Sequence, residues 1–114
     1  MKLPNQHLAT VDRRKVVEYL LNPAHPDNGG KARFFATLGF SLDTVEPLID
    51  ALRSMAAVTE VAAHVESVHG DKYVVDGLLP VHTGAGPGRI VRTIWAIDRG
   101  TSVPRLVTAY PHEE

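Results

Sequence analysis

Seven candidate residues of this sequence have cationic, hydroxyl or imidazole side chains of the kinds that take part in catalysis. Ammonium and guanidinium groups stabilise charge on phosphate oxygens, and an imidazole or a phenol transfers protons near neutral pH. Together they suit phosphate chemistry that needs no metal. The set comprises His25, Lys31, Arg33, Arg92, Arg105, Thr108 and Tyr110.

His25 lies in a segment that is built to present a side chain beside a helix start. Pro23 and Pro26 restrict the backbone on either side of it and disfavour helix there. Asn28 is predicted to cap the helix that follows, and the free amide groups of the first turn then lie close to Lys31. A helix start with cations beside it is a plausible phosphate site.

The second predicted helix separates its two cations. On a helical wheel, Lys31 falls on the side of Phe34 and Leu38, which should face the sheet, whereas Arg33 falls on the opposite side. An alternative for Lys31 is purely structural, with its aliphatic stem packed and its ammonium group in water. The sequence leaves both interpretations open.

Composition and charge exclude several classes of function. The 114 residues carry 12 basic and 13 acidic side chains, so attraction to nucleic acid through net positive charge is excluded. The chain has no cysteine, and its six histidines show no metal-ligand spacing, so no metal and no cofactor are predicted. Apolar runs are too short to span a membrane, and a cytoplasmic location is expected.

The periodicity of apolar residues changes from helical to extended near residue 58. Helices followed by a meander of strands indicate an α+β fold, with the helices packed on one face of an antiparallel sheet, in one domain over residues 1–114. Helices are predicted at about residues 12–22, 30–38 and 41–57, and strands at about 59–68, 72–79, 89–98 and 103–110. Asp12 is predicted to cap the first helix, Gly39 to end the second, and Asp43 with Glu46 to form a capping box at the third.

Strand register decides which side chains meet on the open face of that sheet. Alternation in the third strand directs Trp95 and its neighbours to the core and Arg92 to the open face. We expect Arg92 to lie near Thr108 and Tyr110, although a slip of one residue would reverse the face of the last strand. The alternative is that Arg92 is an ordinary exposed cation and Tyr110 an aromatic residue at the sheet edge.

Charge is unevenly distributed along the chain. Residues 43–76 contain seven acidic and two basic side chains, whereas residues 89–110 contain four arginines and one aspartate. This pattern predicts an acidic surface on the third helix and first hairpin, and a basic surface on the last two strands.

Five segments together resemble an uncharacterised family of small bacterial domains. These domains occur as stand-alone genes in toxin–antitoxin-like arrangements and as C-terminal modules of larger toxins. The resemblance covers nearly the whole chain. The segments are Leu21-Asn22-Pro23 with His25-Pro26, Lys31-Ala32-Arg33-Phe34-Phe35, Tyr73-Val74-Val75-Asp76-Gly77, Val91-Arg92-Thr93-Ile94-Trp95 and Pro104-Arg105-Leu106-Val107-Thr108-Ala109-Tyr110-Pro111.

The order of helices and strands is also similar to the barnase–EndoU–colicin–RelE superfamily of metal-independent ribonucleases. That resemblance implies an endoribonuclease toxin in which the RNA 2′-hydroxyl attacks the adjacent phosphorus, and a cognate antitoxin protein that covers the basic strands. A barnase-like catalytic glutamate is not evident in the last strands. The implied catalytic residues are His25, Lys31, Arg92, Thr108 and Tyr110, with Arg33 and Arg105 binding RNA.

A non-catalytic interaction module is the alternative function. Such a protein, an antitoxin or immunity-type protein, would dock a basic partner protein through the acidic surface described above. An RNA-binding domain without catalytic activity is a third alternative.

Overall fold

The computed structural model describes residues 1–26, 29–83 and 86–112. A short 3₁₀ turn, Gln6–Leu8, comes first. Helix α1 begins as Arg13–Lys15 and continues as a π-helical segment, Val16–Leu20; α2 is Gly29–Thr37; α3 is Val45–Val58, after a 3₁₀ turn, Leu42–Thr44. The strands are β1, Val61–Ser67; β2, Gly70–Leu79; β3, Arg89–Asp98; and β4, Arg105–Pro111. The predicted α+β order is confirmed.

The four strands form one antiparallel sheet in the order β1-β2-β3-β4, so each pairs with its neighbour in sequence. The predicted alternation of β3 is confirmed, because Val91, Thr93 and Trp95 are fully buried while Arg92 is only half-buried. Thr93 is the one buried polar residue among those described. Its hydroxyl accepts a hydrogen bond from the Trp95 indole (2.8 Å) and donates to the Val75 carbonyl (2.9 Å), so its burial carries no unpaired polar group.

Two of the predicted helix signals operate as expected. The Asp12 carboxylate caps α1 by accepting a hydrogen bond from the backbone N–H of Arg14 at 2.9 Å. Gly39 ends α2 with φ of 86°, and the backbone N–H of Phe40 bonds back to the Phe35 carbonyl. This is a Schellman ending, in which only a residue tolerant of positive φ fits after the helix.

Other predicted boundaries are wrong for local reasons. Helix α1 stops at Leu20 and not at Asn22, because the Asn22 side chain accepts a hydrogen bond from the backbone N–H of Ala24 and turns the chain. The capping box before α3 uses Ser41 and Thr44 rather than Asp43 and Glu46. The proposed cap Asn28 lies outside the described residues, as do Gly84 and Ala85 of the loop between β2 and β3.

The N-terminal segment pairs with both edges of the sheet. Thr10 hydrogen-bonds to Pro104 and Leu106 beside the first residues of β4, and Lys2 bridges to Glu60 just before β1. Residue 103, predicted to begin the last strand, therefore precedes the paired region, and β4 starts at Arg105. These contacts fix the N-terminal segment to both edges of the same sheet.

Gly77 allows α3 to pack closely on β2. A Cβ atom at this position would lie 2.6 Å from Cγ of Met55 and 2.9 Å from the hydroxyl of Thr59. Both contacts are too short, so the helix or the side chains would have to move. The absence of a side chain at residue 77 therefore sets the distance between the helix layer and the sheet.

We expect Gly77→Ala to lower the free energy of unfolding by about 1–3 kcal/mol, the usual cost of overpacking. Gly30→Ala is the matched control, because its nearest new contact would be 3.7 Å away and alanine favours helix. Urea unfolding of both variants measures the difference. Equal stability of the two variants would contradict this account of the packing.

Candidate functional site

A β-bulge in β4 places its hydroxyl side chains beside Arg92. Tyr110 pairs with Arg92 and Thr108 with Ile94, but Leu106 then pairs with Trp95, leaving Val107 as the extra residue. Leu106 and Ala109 are therefore both buried, while Thr108 and Tyr110 share the face of Arg92. The expected proximity is confirmed, although neither simple alternation considered for this strand was right.

The bulge is held in place by α1. The Lys15 ammonium group donates a hydrogen bond of 2.8 Å to the carbonyl of Val107, the residue that the bulge inserts. A bulged residue loses its regular ladder partner, so a side-chain donor satisfies a backbone group that the sheet does not. The first helix therefore helps to fix the conformation of the strand that carries Thr108 and Tyr110.

The Lys31 ammonium group lies among hydroxyl groups and aromatic rings. It donates to the Thr108 hydroxyl at 3.0 Å and to the Tyr19 hydroxyl at 3.1 Å. It also lies 4.7 Å from the ring centroid of Tyr19 and 5.7 Å from that of Tyr110. Within the described residues Lys31 forms no ion pair, so no carboxylate among them cancels its positive charge. Lys31 therefore does more than pack its stem.

His25 joins the same array through Tyr19. The two rings meet edge to face, with centroids 5.4 Å apart and an angle of 78° between their planes. Both residues line a cleft of about 570 Å³ between α1 and the β4 edge. The cleft is lined also by Asp12, Arg14, Lys15, Glu18 and Val107. The imidazole of His25 therefore borders this cleft, which meets the array at His25 and Tyr19.

Arg92 is held by an ion pair that the sequence analysis did not anticipate. Its Nε and one Nη atom each donate to Asp76 at 2.8 Å, and the same Nη lies 3.4 Å from Nε2 of His112. The hydrogen bond from Arg92 lowers the pKa of Asp76 against an opposing effect of burial, and the charge of His112 adds to the lowering. Asp76 raises the already high pKa of Arg92, and a hydrogen bond with Tyr110 acts in the same direction.

The structure therefore brings the five proposed catalytic residues into one connected array. The connection runs from His25 through Tyr19 to Lys31, and from Lys31 through Thr108 and Tyr110 to Arg92. Sequence reasoning missed three members of it, which are Tyr19, Asp76 and His112. Of these three, only Asp76 could have been found from the sequence, because pairing β2 with β3 in an antiparallel register places it directly opposite Arg92.

Arg33 and Arg105 do not join this array. Arg33 is exposed on the far side of α2 and lines a separate cleft of about 300 Å³ with Leu21 and Phe40. Arg105 forms a bidentate pair with Asp98 at 2.7 and 3.0 Å, and it precedes Tyr110 by five residues, about 17 Å of strand. Their contact with RNA stays a prediction, and such contact would lie outside the array.

The predicted separation of acidic and basic surfaces is wrong in its simple form, because ion pairs between distant segments of the chain neutralise many of these charges. Arg92 and Arg105 each bind an aspartate, and Glu46 of the acidic stretch binds Arg13 at 2.7 Å. Glu60 binds the N-terminal amino group at 2.8 Å. Residues that are distant in sequence but close in the fold compensate one another.

The Asp76–Arg92 pair should stabilise the fold more than the Asp98–Arg105 pair. The two have the same bidentate geometry, but the Asp76 side chain is 18% exposed and that of Asp98 is 48% exposed. A more exposed pair is screened more effectively by water and salt. Asp76→Asn should therefore lower the free energy of unfolding at pH 7 more than the matched control Asp98→Asn.

The effect of Asp76→Asn should depend on pH. The folded pKa of Asp76 is lowered, so its carboxylate stabilises the fold above its ordinary pKa of about 3.9, and this contribution disappears as the pH falls through the lowered value. Unfolding curves of wild type and variant, measured from pH 7 downward, should converge in acid. A difference that stays constant over this range would contradict the assignment.

None of the helices in the described part of the chain is both long and apolar enough to cross a membrane.

Comparison with known proteins identifies a chain of similar fold and the family of this chain. No curated protein matches the chain. A solved structure described as a contact-dependent growth inhibition toxin–immunity protein complex from Klebsiella pneumoniae 342 contains a chain of similar fold, with a TM-score of 0.71 and 14% identity over 96% of this chain and 97% of that one. Residues 2–113 match the domain of unknown function DUF6883, and the chain belongs to that family.

Proposed function

We propose that this protein is a metal-independent endoribonuclease toxin of a toxin–antitoxin-like pair. One observation carries the proposal. The Lys31 ammonium group has no ion-pair partner among the described residues and donates hydrogen bonds to the hydroxyls of Thr108 and Tyr19. The ring of Tyr19 in turn contacts His25, which lines a cleft. A phosphate bound at this point would contact a cation, hydroxyl donors and an imidazole. These groups suffice for transfer of a phosphoryl group to an internal hydroxyl.

The reaction is an internal displacement at phosphorus. The 2′-oxygen of RNA forms a bond to the adjacent phosphorus while the bond from phosphorus to the 5′-oxygen breaks, which leaves a 2′,3′-cyclic phosphate and a free 5′-hydroxyl. His25 in its neutral form takes the proton of the 2′-hydroxyl, and Tyr110 donates a proton to the departing 5′-oxygen. General acid–base assistance of this kind contributes about 10²–10⁴-fold.

Lys31 and Arg92 stabilise the charge that develops on the phosphorus-bound oxygens, and Thr108 orients the phosphate. Arg92 uses one edge of its guanidinium group for Asp76, which leaves N–H donors for a substrate oxygen and fixes the plane in which they point. Lys31 is the stronger candidate for charge stabilisation, because Arg92 is already partly neutralised by Asp76. Such preorganised donors usually supply the largest single contribution to catalysis.

A partner protein is part of the proposal. The similar solved chain belongs to a complex described as a toxin with its immunity protein, which supports a role in such a pair without indicating which member this chain resembles. We propose that a cognate antitoxin covers the cleft of His25 and Tyr19. Because the proposed substrate is cellular RNA, we propose that the protein acts in the cytoplasm.

An interaction module without catalytic activity is the second candidate. The observation that favours it is the exposed hairpin of β1 and β2, where Glu66 and Asp71 lie directly opposite each other and give the ribbon an acidic face. An immunity-type protein could bind a basic partner there. Recovery of a basic partner protein in a stable complex, with no growth arrest when this chain is expressed alone, would favour this candidate.

Cleavage of purified tRNA, mRNA and ribosomes in the presence of EDTA tests the nuclease proposal. We expect cleavage products with cyclic phosphate ends, and a loss of at least about 100-fold in His25→Ala, which removes the proton acceptor. Lys31→Met keeps the stem but removes the charge, and it should lose about 10²–10³-fold.

Lys2→Met is the matched control, because Lys2 lies beside Glu60 at the opposite edge of the sheet. It should retain wild-type activity. Equal activity of Lys31→Met and Lys2→Met would show that the chemistry occurs elsewhere. Intact RNA in every assay, together with no growth arrest on expression, would remove the nuclease proposal.

A further inference from the structure

The β1–β2 hairpin carries a second group of chemically capable side chains. Six of the seven residues of β1 are exposed, so this part of the sheet extends beyond the core. His64 and Glu66 are two residues apart on β1 and therefore share a face, and Asp71 pairs directly with Glu66 across the hairpin. One imidazole and two carboxylates thus converge on one side of a two-stranded ribbon.

Their separations suit a shared ion. Nε2 of His64 lies 3.2 Å from Oδ2 of Asp71, and one ligand atom from each of the three residues lies within 4.8 Å of the other two. Tetrahedral coordination with bonds of about 2.0–2.2 Å places neighbouring ligand atoms roughly 3.3–3.6 Å apart. The His64–Asp71 pair is already close to this spacing, and rotation of the exposed Glu66 side chain brings in the third ligand.

Neighbouring residues hold two of the three ligands in position. The ring of His64 stacks on that of Tyr73, with centroids 4.2 Å apart and 12° between the planes. The Tyr73 hydroxyl lies 3.5 Å from the same Asp71 oxygen that faces His64. Outer contacts of this kind fix the orientation of metal ligands. The His64 ring and the Asp71 carboxylate are therefore oriented before any ion arrives.

Electrostatics favours a cation at the same point. Glu66 and Asp71 are directly opposite each other, and like charges in that position destabilise a strand pair. A divalent ion between the two carboxylates removes that repulsion.

We propose that His64, Glu66 and Asp71 bind a divalent transition-metal ion, with zinc the best match. An imidazole nitrogen with two carboxylates suits zinc and its neighbours, whereas magnesium and calcium favour sites made of oxygen alone. Three protein ligands leave a fourth position for water or for a ligand from another molecule. The sequence analysis found no metal pattern because these ligands come from two strands.

This site is separate from the candidate active site. His64 lies on β1, at one edge of the sheet, whereas Lys31 contacts Thr108 on β4, the other edge, and the array extends inward through Arg92 on β3 to Asp76 on β2. Three strand spacings, about 14 Å, separate β1 from β4, the strand that Lys31 contacts. Metal binding here is therefore compatible with a nuclease reaction that proceeds in EDTA, and either proposal can fail without the other.

Isothermal titration of the full chain with zinc chloride, after treatment with EDTA and dialysis, tests the proposal. We expect one equivalent to bind, with at least 10-fold weaker binding in His64→Ala, Glu66→Gln and Asp71→Asn. His69→Ala is the matched control, since His69 is an exposed histidine in the turn of the same hairpin and should bind zinc as wild type does. Magnesium should bind far more weakly than zinc.

Heteronuclear NMR of the histidine side chains gives a second readout that does not depend on stability. Zinc should shift the imidazole signals of His64 and leave those of His82 unchanged. Binding without a defined stoichiometry, or binding that survives in His64→Ala and is lost in His69→Ala, would overturn the proposal. Circular dichroism of each variant verifies that the hairpin still folds.

Discussion

The bulge at Val107 is the constraint on which the rest of the candidate active site depends. Without the extra residue, Leu106, Thr108 and Tyr110 would share one face of β4, and the strand could not bury Leu106 and expose the other two together. With the bulge, Leu106 and Ala109 point into the core, whereas Thr108 and Tyr110 lie on the open face. Lys15 completes the arrangement by bonding to the carbonyl of the inserted residue.

The two cations of the array are in different electrostatic states. Arg92 is bound on one edge of its guanidinium group by Asp76, so it is well oriented but partly neutralised. Lys31 has hydroxyl and aromatic neighbours, which accept its hydrogen bonds and stabilise its charge without cancelling it. Of these two cations, Lys31 is therefore the one without an ion pair to any of the described carboxylates.

The two edges of the sheet have different surroundings. At the β4 edge, the N-terminal segment and α1 contribute Thr10, Lys15 and Tyr19, which together with β4 build a cleft and an array of polar groups. At the β1 edge, the strand is exposed over most of its length and carries its polar side chains on a two-stranded ribbon. The same sheet thus supports a concave site on one side and an open site on the other.

The sequence by itself determined the order of the elements and the face of the central strand. Regular alternation placed Trp95 in the core and Arg92 outside it, because a strand buried on one face has a period of two. Local signals, such as Asp12 at the start of α1 and Gly39 at the end of α2, were also readable, since each acts through contacts within a few residues. These features depend on neighbours in the chain.

Only the tertiary structure decided which distant residues meet. The bulge, the Asp76–Arg92 pair, the position of Tyr19 between His25 and Lys31, and the grouping of His64 with Asp71 all join residues from different elements. It also separated Arg33 and Arg105 from the array that the sequence had grouped with them. Register and side-chain reach across elements are set by packing of the whole core, which no local pattern encodes.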